Sequence, residues 1–366
     1  MSALLYVELY SFCPLRSNIA TFLWYSEKKK TEKGDRSMRK IILDCDTGTD
    51  DAMAIIMAAL SKDIDLSAIT CVHGNLPLRN TLENTLRVVE MLGIDVPVYK
   101  GCPEPMVQHI LPGRILNVRG QQQKRTDENG ETARIHDEYL PLPKATIKEQ
   151  PQHAVSFLVD TLRREKLTVV AVGPGTNVAM ALRMDPSIAE NIEELVIMGG
   201  GVSCSNISQA AEANFFWDPE AASILLSAKT KVTVFPLDAT TSALFTEADG
   251  NDFRAVGGRA ADFFGSLIVE FVQRMAKVGI SNTADPDDHS CAIHDALCIL
   301  YLIDPSFVTD IRHETAFVDV SGGFADGMLI VDRRSYFEKI GDVNIAYRVD
   351  KQKVKNLILD ILQSAN

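Results

Sequence analysis

From Lys40 to the C-terminus, short runs of β-branched and other apolar residues alternate with longer stretches whose apolar positions recur at helical spacing. Runs of the first kind predict buried strands, and stretches of the second predict amphipathic helices. KIILD (40–44) predicts a strand and DAMAIIMAALS (51–61) the helix after it. LSAITCVHG (66–74), NTLENTLRVVEMLG (80–93) and VPVYKG (96–101) then read as strand, helix and strand. A polar segment follows at 103–144, rich in Gly, Gln, Arg and Asp and without an apolar period. Loops of that length in a compact domain are usually functional or disordered, and this one reads as a flap beside a site. Alternation resumes with QHAVSFLVDTLRRE (152–165), LTVVAVG (167–173), TNVAMALRMDP (176–186), ELVIMGGG (194–201) and DPEAASILLSA (218–228). KVTVFPLDAT (231–240) predicts a strand ending in an acid, and 260–279 and 293–304 predict helices. HETAFVDVS (313–321) and NIAYRVD (344–350) are late strands before a closing helix at 353–365. The order predicts an α/β fold: an open, mostly parallel, doubly wound Rossmann-like sheet flanked by helices, forming one domain over 38–366.

Residues 1–37 differ. Their apolar stretch is interrupted by Glu8, Pro14 and Arg16, so no run reaches the length that spans a bilayer. No basic region precedes it and a charged linker, EKKKTEKGDRS, follows. It reads as a poorly ordered extension without its own core, and neither a secretory signal nor a membrane partner is expected.

Composition narrows the partners. A net charge of -12 and a pI near 5.1 leave no broad basic surface for phosphates, which argues against nucleic acid and for a small neutral substrate. The 7 cysteines show no CxxC spacing and several lie in apolar runs, the pattern of reduced thiols in a cytoplasmic protein.

The chemistry gathers where parallel sheets bind ligands, beyond the carboxyl ends of the strands. The first predicted strand runs into DCDTGTDD, which places Asp44, Asp46, Asp50 and Asp51 around one strand-to-helix turn. Carboxylates that close repel unless a cation neutralises them, and a hard divalent ion with oxygen ligands is the natural counter-charge. Other strand ends carry Asn75 in HGN, the carbonyls near Val172 in AVGPGTN, and Met198 at the head of MGGG. Asn206, Glu212 and Asn214 follow, short polar groups suited to sugar hydroxyls, and IHDAL sets His294 beside Asp295. Each feature alone has an ordinary structural reading, as a solvated helix start, a packing glycine or a core histidine. Their convergence at strand ends favours a site.

These motifs resemble those of the nucleoside hydrolases, the inosine-uridine-preferring group above all. The resemblance runs from Lys40 to the C-terminus and rests on DxDxGxDD at Asp44 to Asp51, GN at Gly74 and Asn75, GxxTN ending at Asn177 and MGGG at Met198. It continues with ExN at Glu212 and Asn214, DPEAA at Asp218 and HD at His294 and Asp295. It implies the nucleoside hydrolase fold and hydrolysis of the N-glycosidic bond of ribonucleosides to ribose and free base. By that resemblance Asp46, Asp51, Asp295 and the carbonyl oxygen of Val172 bind Ca2+, together with the ribose 2'- and 3'-hydroxyls and one water. Asp46 is then the general base for that water. Asp50 and Asn214 hold the 2'- and 3'-hydroxyls, Asn206 and Glu212 the 5'-hydroxyl, and Asn75 orients water and ribose. His294, with an ordinary pKa near 6.5, protonates the leaving base around neutral pH. A homodimer or homotetramer is implied as well.

Two other readings fit parts of the chain. DCDTGT also resembles the DxDxT start of haloacid dehalogenase-type phosphatases, with Asp44 as nucleophile, Asp46 as acid and Mg2+ as the ion. Alternatively, a ribonucleoside-binding protein would keep the pocket without turnover, although a binder needs no general base.

Overall fold

Ile41, Ile42, Leu43 and Cys45 are all fully buried in the first strand, β1 (Arg39–Cys45), because the strand lies inside the sheet with a core on either face. Ile41, Leu43 and Cys45 join one core and Ile42 the other, as the period of two in a strand requires. That two-sided burial is why the parallel strands read as continuous apolar runs. The computed structural model describes residues 38–107, 110–111, 125–126, 132–133, 137–277, 279, 285, 288–334 and 342–365. The extension expected at 1–37 lies outside the described residues, and Arg39–Asn366 forms one compact unit.

Helix α1 (Thr49–Leu60) leads to β2 (Ile64–Cys71), helix α2 (Leu78–Leu92) and β3 (Val98–Lys100). Gly93 closes α2 at φ 65, where its N–H reaches Glu90 O and a residue with a Cβ would be strained. Beyond the polar segment come α3 (Ala154–Leu162), β4 (Leu167–Ala171), α4 (Thr176–Met184) and β5 (Ile192–Met198). A short helix α5 (Ala213–Trp217) and α6 (Pro219–Leu226) precede β6 (Val232–Phe235). Asp218 caps α6, its Oδ1 accepting from Ala221 N at 3.1 Å, with Pro219 in the first helical position. Then follow α7 (Leu237–Thr240), α8 (Glu247–Ala255), α9 (Arg259–Lys277) and α10 (Ala296–Ile303). The chain ends with β7 (Val308–Val318), β8 (Leu329–Asp332), β9 (Asp342–Val349) and α11 (Lys351–Ser364).

The nine strands form one sheet in the order β8-β7-β9-β6-β5-β4-β1-β2-β3. From β9 to β3 all neighbours are parallel, while β7 runs antiparallel to β9 and β8. The chain leaves β1 toward β2 and β3, then returns to the other side of β1 for β4, β5 and β6. The order therefore reverses between β1 and β4, the switch point at which open sheets part into a crevice. Among the described residues no helix is long and apolar enough to cross a membrane.

Three local expectations are corrected. The strand predicted over 231–240 stops at Phe235, because Pro236 has no N–H for the ladder and instead opens the helical turn α7. Helix α8 and strand β8 have no counterpart in the sequence reading: α8 carries few apolar residues and β8 is four residues long. The polar segment is not a uniform flap: from Glu138 its backbone is fixed against α2 and Leu140 is buried, whereas most of 108–136 lies outside the described residues.

Candidate active site

At the switch point the ladder continues past the strands. Val172 N donates to Asp44 O at 2.8 Å and Val72 N to Cys45 O at 3.0 Å, which draws the ends of β4, β1 and β2 together. Asp44 lies beneath this junction. Its Oδ1 accepts from Thr70 Oγ1 at 2.6 Å and Asn177 Nδ2 at 2.7 Å, and burial pushes its carboxyl up to about 6. It is fully buried, with Oδ1 engaged in holding strands and Oδ2 buried without a partner, and this lack of access to a substrate speaks against it as the nucleophile of the phosphatase reading.

Asp46 emerges one residue past β1. Its Oδ2 accepts from Asn75 N at 2.6 Å, and its own N–H donates to Asp51 Oδ1 at 3.0 Å. Two glycines make room for it: a Cβ at Gly74 would stand 2.1 Å from Asp46 Oδ2, and one at Gly173 2.8 Å from Oδ1. Gly74→Ala is therefore expected to displace the carboxylate and lower kcat/KM by at least about 100-fold, about 2.7 kcal/mol of barrier. A steady-state assay with wild-type turnover would show that Asp46 needs no such pocket.

Asp51, fully buried in the first turn of α1, accepts from Asp46 N and, at 2.8 Å, from Gly48 N. Asp50, Asp51 and Asp295 then converge, one carboxylate oxygen from each lying within 4.8 Å of the others. Burial, followed by the Asp50 charge, lifts Asp51 to about 7. Burial and then the charges of Asp50, Asp51 and Asp46 push Asp295 well above the carboxylate range, and burial and Asp51 do the same to Asp46. Asp46 Oδ1 and Asp50 Oδ1 are buried without a hydrogen-bond partner. Orphaned carboxylate oxygens among mutually repelling acids, with no nitrogen or sulfur donor in the cluster, fit a hard divalent cation.

The far wall comes from β4, β5 and α5. Asn214 Nδ2 donates to the carbonyls of Val172 at 2.7 Å and Met198 at 3.1 Å. Val172 O, expected to be uncommitted at its strand end, thus already accepts one bond and keeps its second lone pair for a ligand. Glu212 caps α5 through Asn214 N at 3.0 Å and also takes Gly200 N at 2.8 Å; burial lifts it to about 7. Asn206 is exposed, and its Oδ1 accepts from Ala213 N at 3.0 Å. Both side chains expected at the 5'-hydroxyl are thus engaged in building the start of α5.

His294 is partly buried ahead of α10, with Nδ1 2.7 Å from Thr240 Oγ1. Burial holds its pKa below the ordinary value while the Asp50 charge opposes this. Burial thus favours the neutral ring and works against the proton that the expected acid role requires.

Set against known proteins, the chain matches the family described as inosine-uridine preferring nucleoside hydrolase over residues 41–356. The chain belongs to that family. It is therefore a nucleoside hydrolase, with a nucleoside hydrolase fold. The pyrimidine-specific ribonucleoside hydrolase RihB of Escherichia coli (strain SE11) is 35% identical over 314 residues, 85% of this chain and 93% of that one. Among solved structures, a plant nucleoside hydrolase, PpNRh1, superposes with a TM-score of 0.75 at 25% identity, over 89% of this chain and 99% of its own. A purine-preferring ribonucleoside hydrolase from Gardnerella vaginalis gives 0.74 at 28% identity over the same shares.

Of the site residues expected from sequence, the nucleoside hydrolase brings Asp46, Asp50, Asp51, Asn75 and Asp295 into one acidic centre, and Val172, Met198, Glu212 and Asn214 into the adjoining wall. The charges of Asp50 reach His294 and Glu212, which ties the remaining pieces to the same pocket. Sequence reasoning missed the supports: Thr240 under His294, Gly173 beside Asp46, and Asn84 of α2 under the acidic turn. Only Asn84 left a trace, since it belongs to a polar stripe at helical spacing along α2.

Proposed function

We propose that this nucleoside hydrolase cleaves the N-glycosidic bond of ribonucleosides of the inosine and uridine kind, with a Ca2+ held by Asp46, Asp51, Asp295 and the carbonyl of Val172. The observation that carries the reading is the convergence of Asp50, Asp51 and Asp295 beside the orphaned oxygen of Asp46 at the switch point. Bound there, the ion would supply the positive charge that lowers the pKa of a water and gathers the vicinal ribose hydroxyls. Asp46, whose Oδ2 is fixed by Asn75 N, presents Oδ1 to take the proton of the attacking water. Asp50 Oδ1 accepts from the 2'-hydroxyl and Asn214 meets the 3'-hydroxyl, while Glu212 and Asn206 stand on the 5' side. Bond breaking develops oxocarbenium character in the sugar, so this ring of carboxylates stabilises the transition state more than the ground state.

His294 acts on the leaving base. A neutral imidazole held at Nδ1 by Thr240 has Nε2 for a hydrogen bond to the departing heterocycle. His294→Ala is expected to lower kcat on inosine by about 100-fold and to cost far less on p-nitrophenyl riboside, whose leaving group needs no such help. Equal losses on both would remove His294 from that role.

The reading as a whole is tested by reducing-sugar release from uridine and inosine, with and without a chelator. Ribose release that a chelator stops and Ca2+ restores supports it. Nucleoside binding without ribose release would favour a binding protein instead. Relatives named as pyrimidine-specific and as purine-preferring flank this chain, so the same assay on cytidine, uridine, inosine and adenosine ranks the bases. A homodimer or homotetramer in the cytoplasm completes the proposal, and light scattering on the purified protein tests the assembly.

A further inference from the structure

Helix α2 carries a stripe of polar residues at helical spacing, Asn80, Glu83, Asn84, Arg87 and Glu90, in a helix whose other buried positions are largely Leu, Val, Met and Thr. The stripe reads the backbone that returns from the polar segment. Asn80 Nδ2 donates to Glu138 O, Arg87 Nη1 to Leu140 O at 3.1 Å and Leu142 O at 3.0 Å, Glu83 accepts from Ala145 N at 3.1 Å, and Glu90 from Thr146 N at 2.8 Å. None of the five bonds of this rack touches the acidic turn. Asn84 differs. It is fully buried, its Oδ1 accepts from Leu140 N at 2.9 Å, and its Nδ2 donates at 3.1 Å to the carbonyl of Thr47, inside the acidic turn.

Thr47 C=O and Gly48 N–H belong to one planar peptide unit, so fixing the first orients the second. Gly48 N–H is the group that holds Asp51 Oδ2 at 2.8 Å. We infer that Asn84 is a positioning residue which, through the Thr47–Gly48 peptide, aims the Asp51 carboxylate and so sets the cation affinity of the site. The inference rests on the proposed cation reading and adds to it a support outside the acidic motif. A bond to the polar arm of a peptide polarises the N–H at its other end, so the link strengthens the hold on Asp51 as well as orienting it. The hydroxyl of Thr47, 2.6 Å from Oγ1 of Thr85, the residue after Asn84 in the same helix, keeps the turn seated on α2 while Asn84 sets its plane.

The test separates the two arms of Asn84. Asn84→Asp keeps an acceptor for Leu140 N and loses the donor to Thr47 O; Asn84→Ala loses both without adding charge; Arg87→Met removes two bonds of the rack and none to the turn. Chelator-stripped full-length proteins are titrated with CaCl2 by calorimetry, and kcat and KM for uridine are measured at limiting and saturating Ca2+. Removing a partner that orients a metal ligand costs about 10- to 100-fold in affinity, so Asn84→Asp and Asn84→Ala are each expected to raise the Ca2+ dissociation constant by at least about tenfold. Arg87→Met is expected to leave it near wild type. An added carboxylate by itself favours a cation, so weaker binding by Asn84→Asp marks the loss of peptide orientation and not a charge effect. Turnover of both Asn84 variants recovers at saturating Ca2+ with KM for uridine little changed. Wild-type affinity in both Asn84 variants, or an equal loss in Arg87→Met, overturns the inference while leaving the cation site standing. A wild-type protein that takes up no Ca2+ overturns the cation reading itself and the inference with it.

Discussion

Asp46→Asn is expected to lower ribose release by at least about 10³-fold while the protein stays folded. General-base assistance is worth about 10² to 10⁴ on its own, and in this position the lost carboxylate also removes one ligand of the proposed cation. Asparagine is the fair replacement because the side chain sits between Gly74 and Gly173, where nothing larger is accommodated, and an amide oxygen can still accept from Asn75 N. Reducing-sugar release and a thermal melt on the same sample check the two halves of the statement. Near-normal kcat in a folded Asp46→Asn protein would transfer the role of base to another group and leave Asp46 as a structural acid.

The second large effect is in stability. Asp51 and Glu212 are raised to about 7 and Asp44 to about 6, each chiefly by burial, against ordinary values of 3.8 to 4.5. The metal-free native state therefore binds more protons than the unfolded chain between about pH 4 and pH 7, and stability falls as pH rises through that window. At about 1.4 kcal/mol per unit each of these groups contributes a few kcal/mol to the fall. Asp249, where hydrogen bonds and charge from Lys351 and Lys355 outweigh burial, is shifted the other way and has finished titrating below pH 5. Metal-free protein is thus expected to melt several degrees lower at pH 8 than at pH 5. Saturating Ca2+ should narrow the difference, since a cation at 100 times its Kd contributes about 2.7 kcal/mol and the deprotonated acids bind it best. A melting temperature that is flat or rising across this range without metal would mean that the acids are paired in some other way.

How far each residue could be read in advance follows from the range of the interactions that place it. The acidic turn was legible because its parts are local: a buried strand, a glycine and the first turn of a helix put Asp46, Asp50 and Asp51 together within a few residues. Asp295 was legible only as one member of a motif, since its approach to Asp50 and Asp51 depends on α10 packing against α1. Glu212 and Asn206 were recognised as site residues, yet the bonds that occupy them, to Gly200, Asn214 and Ala213, arise from a loop folded back onto the start of α5. The antiparallel edge was half legible: β7 and β9 were read as strands, but β8, a mostly apolar strand of four residues between polar loops, is too short to show an alternation of its own and is fixed by its pairing with β7.

By itself the sequence determined most of the order of strands and helices, the open doubly wound class of the fold and the family, because apolar periodicity and turn chemistry act over a few residues and leave marks in the chain. Tertiary structure alone decided where the strand order reverses beside β1, which carboxylate oxygens were left without partners, that His294 is set against Thr240, and that a buried amide on α2 reaches the peptide supporting Asp51. Those outcomes depend on desolvation and on hydrogen bonds between groups tens of residues apart, and burial is a property of what packs around a side chain, which no spacing along the chain records.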